Sequence, residues 1–344
     1  MSCIPCCAEK ETEFETGLLP IPVGRFFREQ GFLPIGEEAY PLFRKYGAYS
    51  LLQEMSAPVI VSWSFAYHGL YKVISGSLCA VYFHGDKPVY FTVHRPGAYP
   101  AAQGGLAGLI DTLYRLARGA GLPFLQIKFI DGCYLKDYEG IPGYRIQTER
   151  RASDVEYAYQ IKDLLELSGT VNFYKRKRIK RCAALPDVDL RLMTNENAGV
   201  CMDIEEEWCQ GKDCAYCASF GGCEKKALAG MIDLFDDHVH QGLLLYLGGR
   251  PEGYIICEKM NSKLAFLYFG KAVREGFFVY LIYKMFRDYM GDVEWMNINE
   301  DMGSMGLRLF KSHLSVHELW PKYICTYTKA EDLGGGIWHP ASVK

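Results

Sequence analysis

The sequence predicts a mixed α/β protein of the α+β class, built as two similar halves in which mostly antiparallel strands are flanked by helices. Three observations carry that prediction. One order of segments occurs twice: paired strand-like runs, an amphipathic helix, then a strand that closes on an acid. The 344 residues are 49% hydrophobic and 14% aromatic, enough for real cores and outside the composition of disordered chains. The spacing between the two copies is far longer than a solenoid repeat, so the copies read as duplicated domains.

In the first half, "LCAVYFHGDKPVYFTVHRPG" is two strand-like runs joined by a Gly-Asp turn. Leu106, Leu109, Ile110, Leu113, Leu116 and Ala117 then recur at the helical period, and Gly119 and Gly121 stop the helix. "LPFLQIKFID" is the next strand, closing on Asp131. In the second half the strands lie around the turns "GGRPEG" and "MNSK". Phe278, Leu281, Ile282, Met285, Phe286 and Tyr289 mark the helix, Gly291 ends it, and "VEWMNINED" is the strand that closes on Glu300 and Asp301. Between the halves, Val155, Tyr159, Ile161, Leu164 and Leu165 predict a helix ended near Gly169, with Thr170 capping the next one. The expected division is a loosely held N-terminus (1–20), a first domain (21–150), a second domain (151–330) and a C-terminal tail (331–344). The residues up to about 75 are expected to be an irregular lead-in of helix and strand.

A net charge of −3 argues against a globally basic nucleic-acid binder but leaves room for local basic patches. No segment approaches the roughly 18 apolar residues of a membrane span, and "MSCIPCCAEKETEFE" lacks an apolar signal core, so the expected location is cytoplasmic. The thirteen cysteines are then expected as thiols, metal ligands or core residues.

Four stretches carry chemistry. In "WMNINEDMGSMGLRLFKSHL" an apolar strand ends in Asn297, Asn299, Glu300 and Asp301, and the following helix shows Arg308 and Lys311 on one face. The acids alone fit first-turn residues that complement a helix dipole. The two amides and two cations do not follow from that, and they suit a transfer site with a carboxylate base and an anion-holding group. In "YKRKRIKRC", Lys175, Arg176, Arg178, Lys180 and Arg181 belong to a run that points all round a helix. Such a run is either a solvated surface or a platform for phosphate, RNA or an acidic headgroup, with Phe173 and Tyr174 able to stack a base. Cys209, Cys214, Cys217 and Cys223 would ligate one structural zinc or an iron–sulfur cluster, or stand as free thiols. Arg274 and Gly276 sit in a turn that enters a helix, a place where phosphate can meet free N–H groups.

Together, "SDVEYAYQIKDLLELSGTVNFYKRKRIKRC" and "NINEDMGSMGLRLFKSHLSVHELWPKY" resemble a bacterial family related to the C-terminal domain of phosphatidylglycerol lysyltransferase. Leu167, Gly169, Lys175, Arg176, Asn299, Glu300, Asp301, Gly303, Leu307, Arg308, Lys311, Lys322 and Tyr323 stand at the matching positions. Lys177 departs from an expected Asn, and Val155 from an expected Tyr, with Tyr157 and Tyr159 close by. The resemblance implies two tandem GNAT-like domains, similar to the Fem-type peptidyltransferases, and direct attack of a nucleophile on an activated acyl donor. It implies Glu300 or Asp301, with Asn299, as the catalytic group. Asn297, Arg308, Lys311, Lys322, Tyr323, Tyr157 and Tyr159 are then expected at the substrate, and Lys175, Arg176, Arg178, Lys180, Arg181, Arg274 and Gly276 at the donor.

The expected function is acyl transfer from aminoacyl-tRNA to a lipid, peptide or small-molecule acceptor. Possible partners are therefore tRNA and an anionic lipid headgroup at a membrane surface, with no integral membrane segment. Two alternatives stay open: an acyl-CoA-dependent N-acetyltransferase, and a ligand-sensing protein on a degenerate GNAT fold.

Overall fold

A computed structural model of the protein describes residues 21–48, 50–84, 87–94, 105–151, 154–170, 172–210 and 223–329. The lead-in is α1 (Ile21–Glu29), β1 (Leu33–Pro34), α2 (Tyr40–Gly47) and α3 (Ala57–Ser62). The first half continues with β2 (His68–Ile74), β3 (Ser77–His84), β4 (Lys87–His94), α4 (Gly105–Gly119), β5 (Leu125–Asp131), α5 (Leu135–Glu139) and β6 (Arg145–Glu149). Next come β7 (Val155–Gln160), α6 (Ile161–Glu166), α7 (Phe173–Ala183), β8 (Val188–Leu192), α8 (Val200–Gln210) and α9 (Glu224–Asp233). The chain ends its described part with β9 (His240–Leu247), β10 (Arg250–Lys259), β11 (Leu264–Ala272), α10 (Phe277–Asp288), β12 (Trp295–Asn297), α11 (Met305–His313) and β13 (Glu318–Thr328).

The expected repetition is present in space. β2-β3-β4, α4 and β5 have the same order and pairing as β9-β10-β11, α10 and β12. In each copy the hairpins are antiparallel and the strand after the helix pairs parallel with the last hairpin strand, β4 with β5 and β11 with β12. The path through the sheet is β1-β2-β3-β4-β5-β13-β7-β12-β11-β10-β9-β8, with β6 also on β13. β13 joins the copies: Glu318–Pro321 pair with β7, and from Lys322 onward the strand pairs with β5 and then β6.

Each helix buries the stripe that its period predicts. Leu109, Ile110, Leu113 and Ala117 of α4, and Leu281, Ile282, Met285 and Phe286 of α10, are buried under their own sheets. Each such side chain withdrawn from water stabilises the fold by roughly 1.5–3 kcal/mol.

The helix expected from Val155 is corrected: Val155–Gln160 is strand β7, and helix α6 begins at Ile161. The alternation Val155, Tyr157, Tyr159 is a strand period: β12 and β13 pair at its two edges, the core under α10 buries Tyr157 and Tyr159 on one face, and the turn at Gln53 meets Glu156 on the other. Left-handed Leu167 and Gly169 end α6, and Asn172 rather than Thr170 sits at the N-cap of α7. The strand expected to close on Glu300 is also shorter, since β12 stops at Asn297.

That early stop opens the molecule. β11 and β12 pair only over Leu264–Phe266 and Trp295–Asn297. β11 then runs on to Ala272 while the partner chain turns away at Ile298, leaving a gap between them.

Candidate active site

The gap is the mouth of a cavity of about 340 Å³, lined on one side by Leu267–Lys271 and on the other by Ile298–Glu300. The first half contributes Gln53, Glu54, Tyr67, Tyr82, Tyr90 and Phe129 to its walls. Phe129, Asn299 and Met302 all have positive φ (57°, 62° and 50°), a conformation that costs a residue with a Cβ about 1–3 kcal/mol. Three such residues around one cavity mark a place where packing over-determines the backbone.

The turn after β12 is held by side chains placed for that purpose. Asn297 Oδ1 accepts the Asn299 N–H at 2.7 Å, and Asn299 Oδ1 accepts the Glu300 N–H at 2.6 Å. The buried Lys311 ammonium donates to the carbonyls of Ile298 (2.6 Å), Asn299 (3.0 Å) and Glu300 (2.5 Å). Burial lowers its pKa to about 8. Tyr159, fully buried, donates its hydroxyl to the Lys311 carbonyl at 2.8 Å.

Asp301 anchors the next step of the turn. Its carboxylate accepts from Tyr157 Oη (2.6 Å), Arg308 Nε (2.8 Å) and the Gly303 N–H (2.8 Å). Burial alone would raise its pKa, but these three donors outweigh it and hold the carboxyl at about 2. Ser304 then caps α11 by accepting the Leu307 N–H.

Glu300 turns the other way, into the cavity. Lys322 of β13 donates to both Glu300 and Glu54, so one ammonium bridges carboxylates from the two halves. Glu156 lies behind Glu54, fully buried; it accepts the Gln53 N–H at 2.9 Å and the Asn297 amide. Glu54 Oε2 receives no N–H or hydroxyl hydrogen bond and faces the Glu156 carboxyl. Burial and the Glu54 charge push Glu156 well above the ordinary carboxyl range, whereas Lys322 outweighs burial and lowers Glu54. Within the pair, Glu156 is therefore the stronger holder of a proton and Glu54 the weaker. Glu300 lies between these extremes: burial first, then the Glu54 charge, raise its pKa to about 7 against the pull of Lys322.

The expected site residues thus separate by role. Glu300 and Asn299 line the cavity. Asp301 anchors the turn, and a carboxyl held at about 2 is a weak base. Of the cations expected at the substrate, Lys311 binds three carbonyls, Arg308 pairs with Asp301, and Lys322 with two glutamates. Asn297, Tyr157 and Tyr159 are buried supports of the same turn. Tyr323 packs against the first half's core.

In the basic helix, Lys175 is buried with its ammonium on Ser315 Oγ at 2.6 Å, and Arg176 donates to the carbonyls of Leu167 and Gly169. Arg178, Lys180 and Arg181, with Lys177, are exposed. Arg178 pairs with Glu275 and lies over left-handed Gly276 at the start of α10, while Arg274 pairs with buried Glu252 at 3.0 Å. Cys209 and Cys223 are partly buried. Cys214 and Cys217 lie outside the described residues, as do "CIPCC" and the tail.

Glu54 and Glu156 were not singled out by the sequence reading. Glu156 had a signal, an acid inside an otherwise apolar strand; Glu54 had none. Among the described residues no helix is long and apolar enough to cross a membrane.

The profile of the family described as phosphatidylglycerol lysyltransferase, C-terminal, matches residues 66–326. No curated protein sequence matches significantly. A solved structure, a conserved protein of unknown function from Bacteroides thetaiotaomicron VPI-5482, is similar at 20% identity and TM-score 0.74, over 85% of this chain and 97% of that one. L-PGS from Bacillus licheniformis is similar at 13% identity and TM-score 0.59, over 87% and 93% of the two chains. FemX is similar at 10% identity and TM-score 0.56, over 84% and 95%. These likenesses show the fold, one shared with L-PGS and FemX.

Proposed function

The chain belongs to the phosphatidylglycerol lysyltransferase C-terminal family, and on that premise we propose that it is an acyltransferase moving an aminoacyl group from aminoacyl-tRNA to an acceptor, with Glu300 as general base. The observation that carries the reading is a carboxyl poised at about pH 7, on the floor of a gap between splayed strands. A base with that pKa is half ionised at neutrality, where proton abstraction is most effective.

The acceptor's amine or hydroxyl gives its proton to Glu300 as it attacks the ester carbonyl of the donor. A new amide or ester bond forms, the ester bond to the ribose breaks, and the ribose oxygen leaves as a hydroxyl once it takes up a proton. The donor is already activated as an ester, so the protein's part is orientation, exclusion of water and the base. Asn297, Lys311 and Asp301 serve it by fixing the turn on which Glu300 sits.

The donor edge is the exposed face of α7. Lys177, Arg178, Lys180 and Arg181 offer positive charge to a phosphate backbone. α7 packs against α10, whose Phe278 lines the cavity. A phosphatidylglycerol headgroup, named in the family's description, is the first acceptor to test, beside peptides and small amines. Against acyl-CoA as donor, the turn at Arg274–Gly276 offers a single glycine and carries the Glu275 carboxylate, which repels a pyrophosphate.

The test is single-turnover deacylation of labelled aminoacyl-tRNA in the presence of each acceptor class. Glu300→Gln is expected to fold normally and lose about 10²–10⁴-fold in rate. Full activity in that variant would remove Glu300 from the mechanism.

A further inference from the structure

Glu54, from the first half, reaches the candidate base through a shared partner, Lys322. It arrives on a short segment docked to the second half by hydrogen bonds at several points. The Leu51 carbonyl accepts from Asn297 Nδ2 at 2.9 Å, the Gln53 N–H meets Glu156, and Gln53 Nε2 donates to the Leu267 carbonyl at 2.8 Å. Leu267 lies on the splayed part of β11, so the same segment also braces the gap.

This docking has an electrostatic consequence. The Lys322 ammonium bonds both Glu54 and Glu300, so neither carboxylate has it alone. A cation shared between two buried carboxylates stabilises the charged form of each less than one held by a single carboxylate. Without the Glu54 charge, Lys322 would serve Glu300 alone.

We propose that Glu54 is a positioning residue which divides Lys322 between two carboxylates and thereby keeps Glu300 basic enough to accept the nucleophile's proton. This rests on the reading of Glu300 as base. The groups facing Glu300 from each packed element are Glu54 from the 53–55 turn, Lys322 from β13, Asp154 just before β7, Lys311 from α11 and Tyr67 after α3. Glu156 of β7 stands beside Glu54 and also faces Lys322. Glu54 and Glu300 are hydrogen-bonded to the same ammonium.

The experiment is a carbon-13 NMR titration of glutamate side-chain carboxyls in the intact protein without substrate. The wild type is compared with Glu300→Gln, Glu54→Gln, Glu54→Asp and Glu156→Gln, and thermal unfolding verifies that each is folded. The wild type should show a carboxyl titrating near neutrality that is absent in Glu300→Gln. In Glu54→Gln that titration should move down by about 1–2 pH units, and the acid limb of the transfer rate should move with it. Glu54→Asp should restore most of the shift. Glu156→Gln replaces a neutral group with a neutral group and should leave the titration in place. An unmoved titration in folded Glu54→Gln overturns the proposal, as does an equal shift in Glu156→Gln. Absence of any neutral-range carboxyl in the wild type would instead defeat the general-base reading, so the two failures are distinguishable.

Discussion

Two adjacent acids, Glu300 and Asp301, leave one turn in opposite directions and meet opposite electrostatics. Glu300 is raised to about 7 by burial and the Glu54 charge; Asp301 is lowered to about 2 by three donors that outweigh burial. A base works only when ionised, so the transfer rate should rise with pH through about 7 and then level off, measured as rate against pH under single-turnover conditions. Asp301 makes a different prediction. Its folded pKa lies below the ordinary value of about 3.9, so its contribution to stability is complete above about pH 4 and is lost as pH falls through about 2. Asp301→Asn should cost on the order of 1–2 kcal/mol at neutral pH, less than a fully buried pair because the Arg308 side chain is 44% exposed. Urea unfolding across the pH range would check both the size and the disappearance of the difference in acid. At this scale the turn was legible in the sequence as a cluster of acids, amides and cations. Which acid is the more basic was not, because that depends on Glu54, 268 residues away from its partner Lys322. Nothing local distinguishes Glu54 from any other glutamate in an irregular segment.

Among the elements, α4 and α10 announce themselves by period, and their buried stripes are the residues that the period marks. β7 hid its nature, because Val155 and Tyr159 sit four apart as in a helix, and Val155, Tyr157 and Tyr159 alternate as in a strand. Pairing with β12 and β13 at its two edges, which no local signal announces, decides it. The basic helix α7 also divides in a way that its composition conceals. Lys175 and Arg176 hold the loops at its N-terminal end, whereas Arg178, Lys180 and Arg181 face solvent. Changing Arg178, Lys180 and Arg181 together to Ala should leave the melting temperature nearly unchanged. It should weaken tRNA binding and flatten its salt dependence by up to about three phosphate contacts. Changing Lys175 and Arg176 should lower the melting temperature instead. Filter binding across a salt series, with thermal unfolding beside it, separates these outcomes.

Across the whole molecule the duplication is visible in both sequence and sheet order, but the two copies are not independent. β13 pairs with β7 at its start and with β5 and β6 afterward, and the 51–56 segment of the first half reaches Glu156, Leu267, Asn297 and Lys322 of the second. These long-range contacts were illegible in the sequence for the reason that makes them structural: no periodicity links a strand to a sheet half that it joins from afar. Equilibrium unfolding should therefore show one transition, coincident for far-UV circular dichroism of the whole chain and for fluorescence of Trp295 in β12, read in a variant lacking the other tryptophans. Two separated transitions would show the halves to be autonomous. The central claim is that the gap between β11 and β12 transfers an aminoacyl group. It is tested most directly by giving the wild-type protein labelled aminoacyl-tRNA and labelled acetyl-CoA, separately, with phosphatidylglycerol vesicles, a peptide pool and an amine pool as acceptors. The account predicts label transfer from the tRNA, suppressed by salt and abolished in Glu300→Gln. Label transfer from acetyl-CoA alone, with aminoacyl-tRNA left intact, would contradict it.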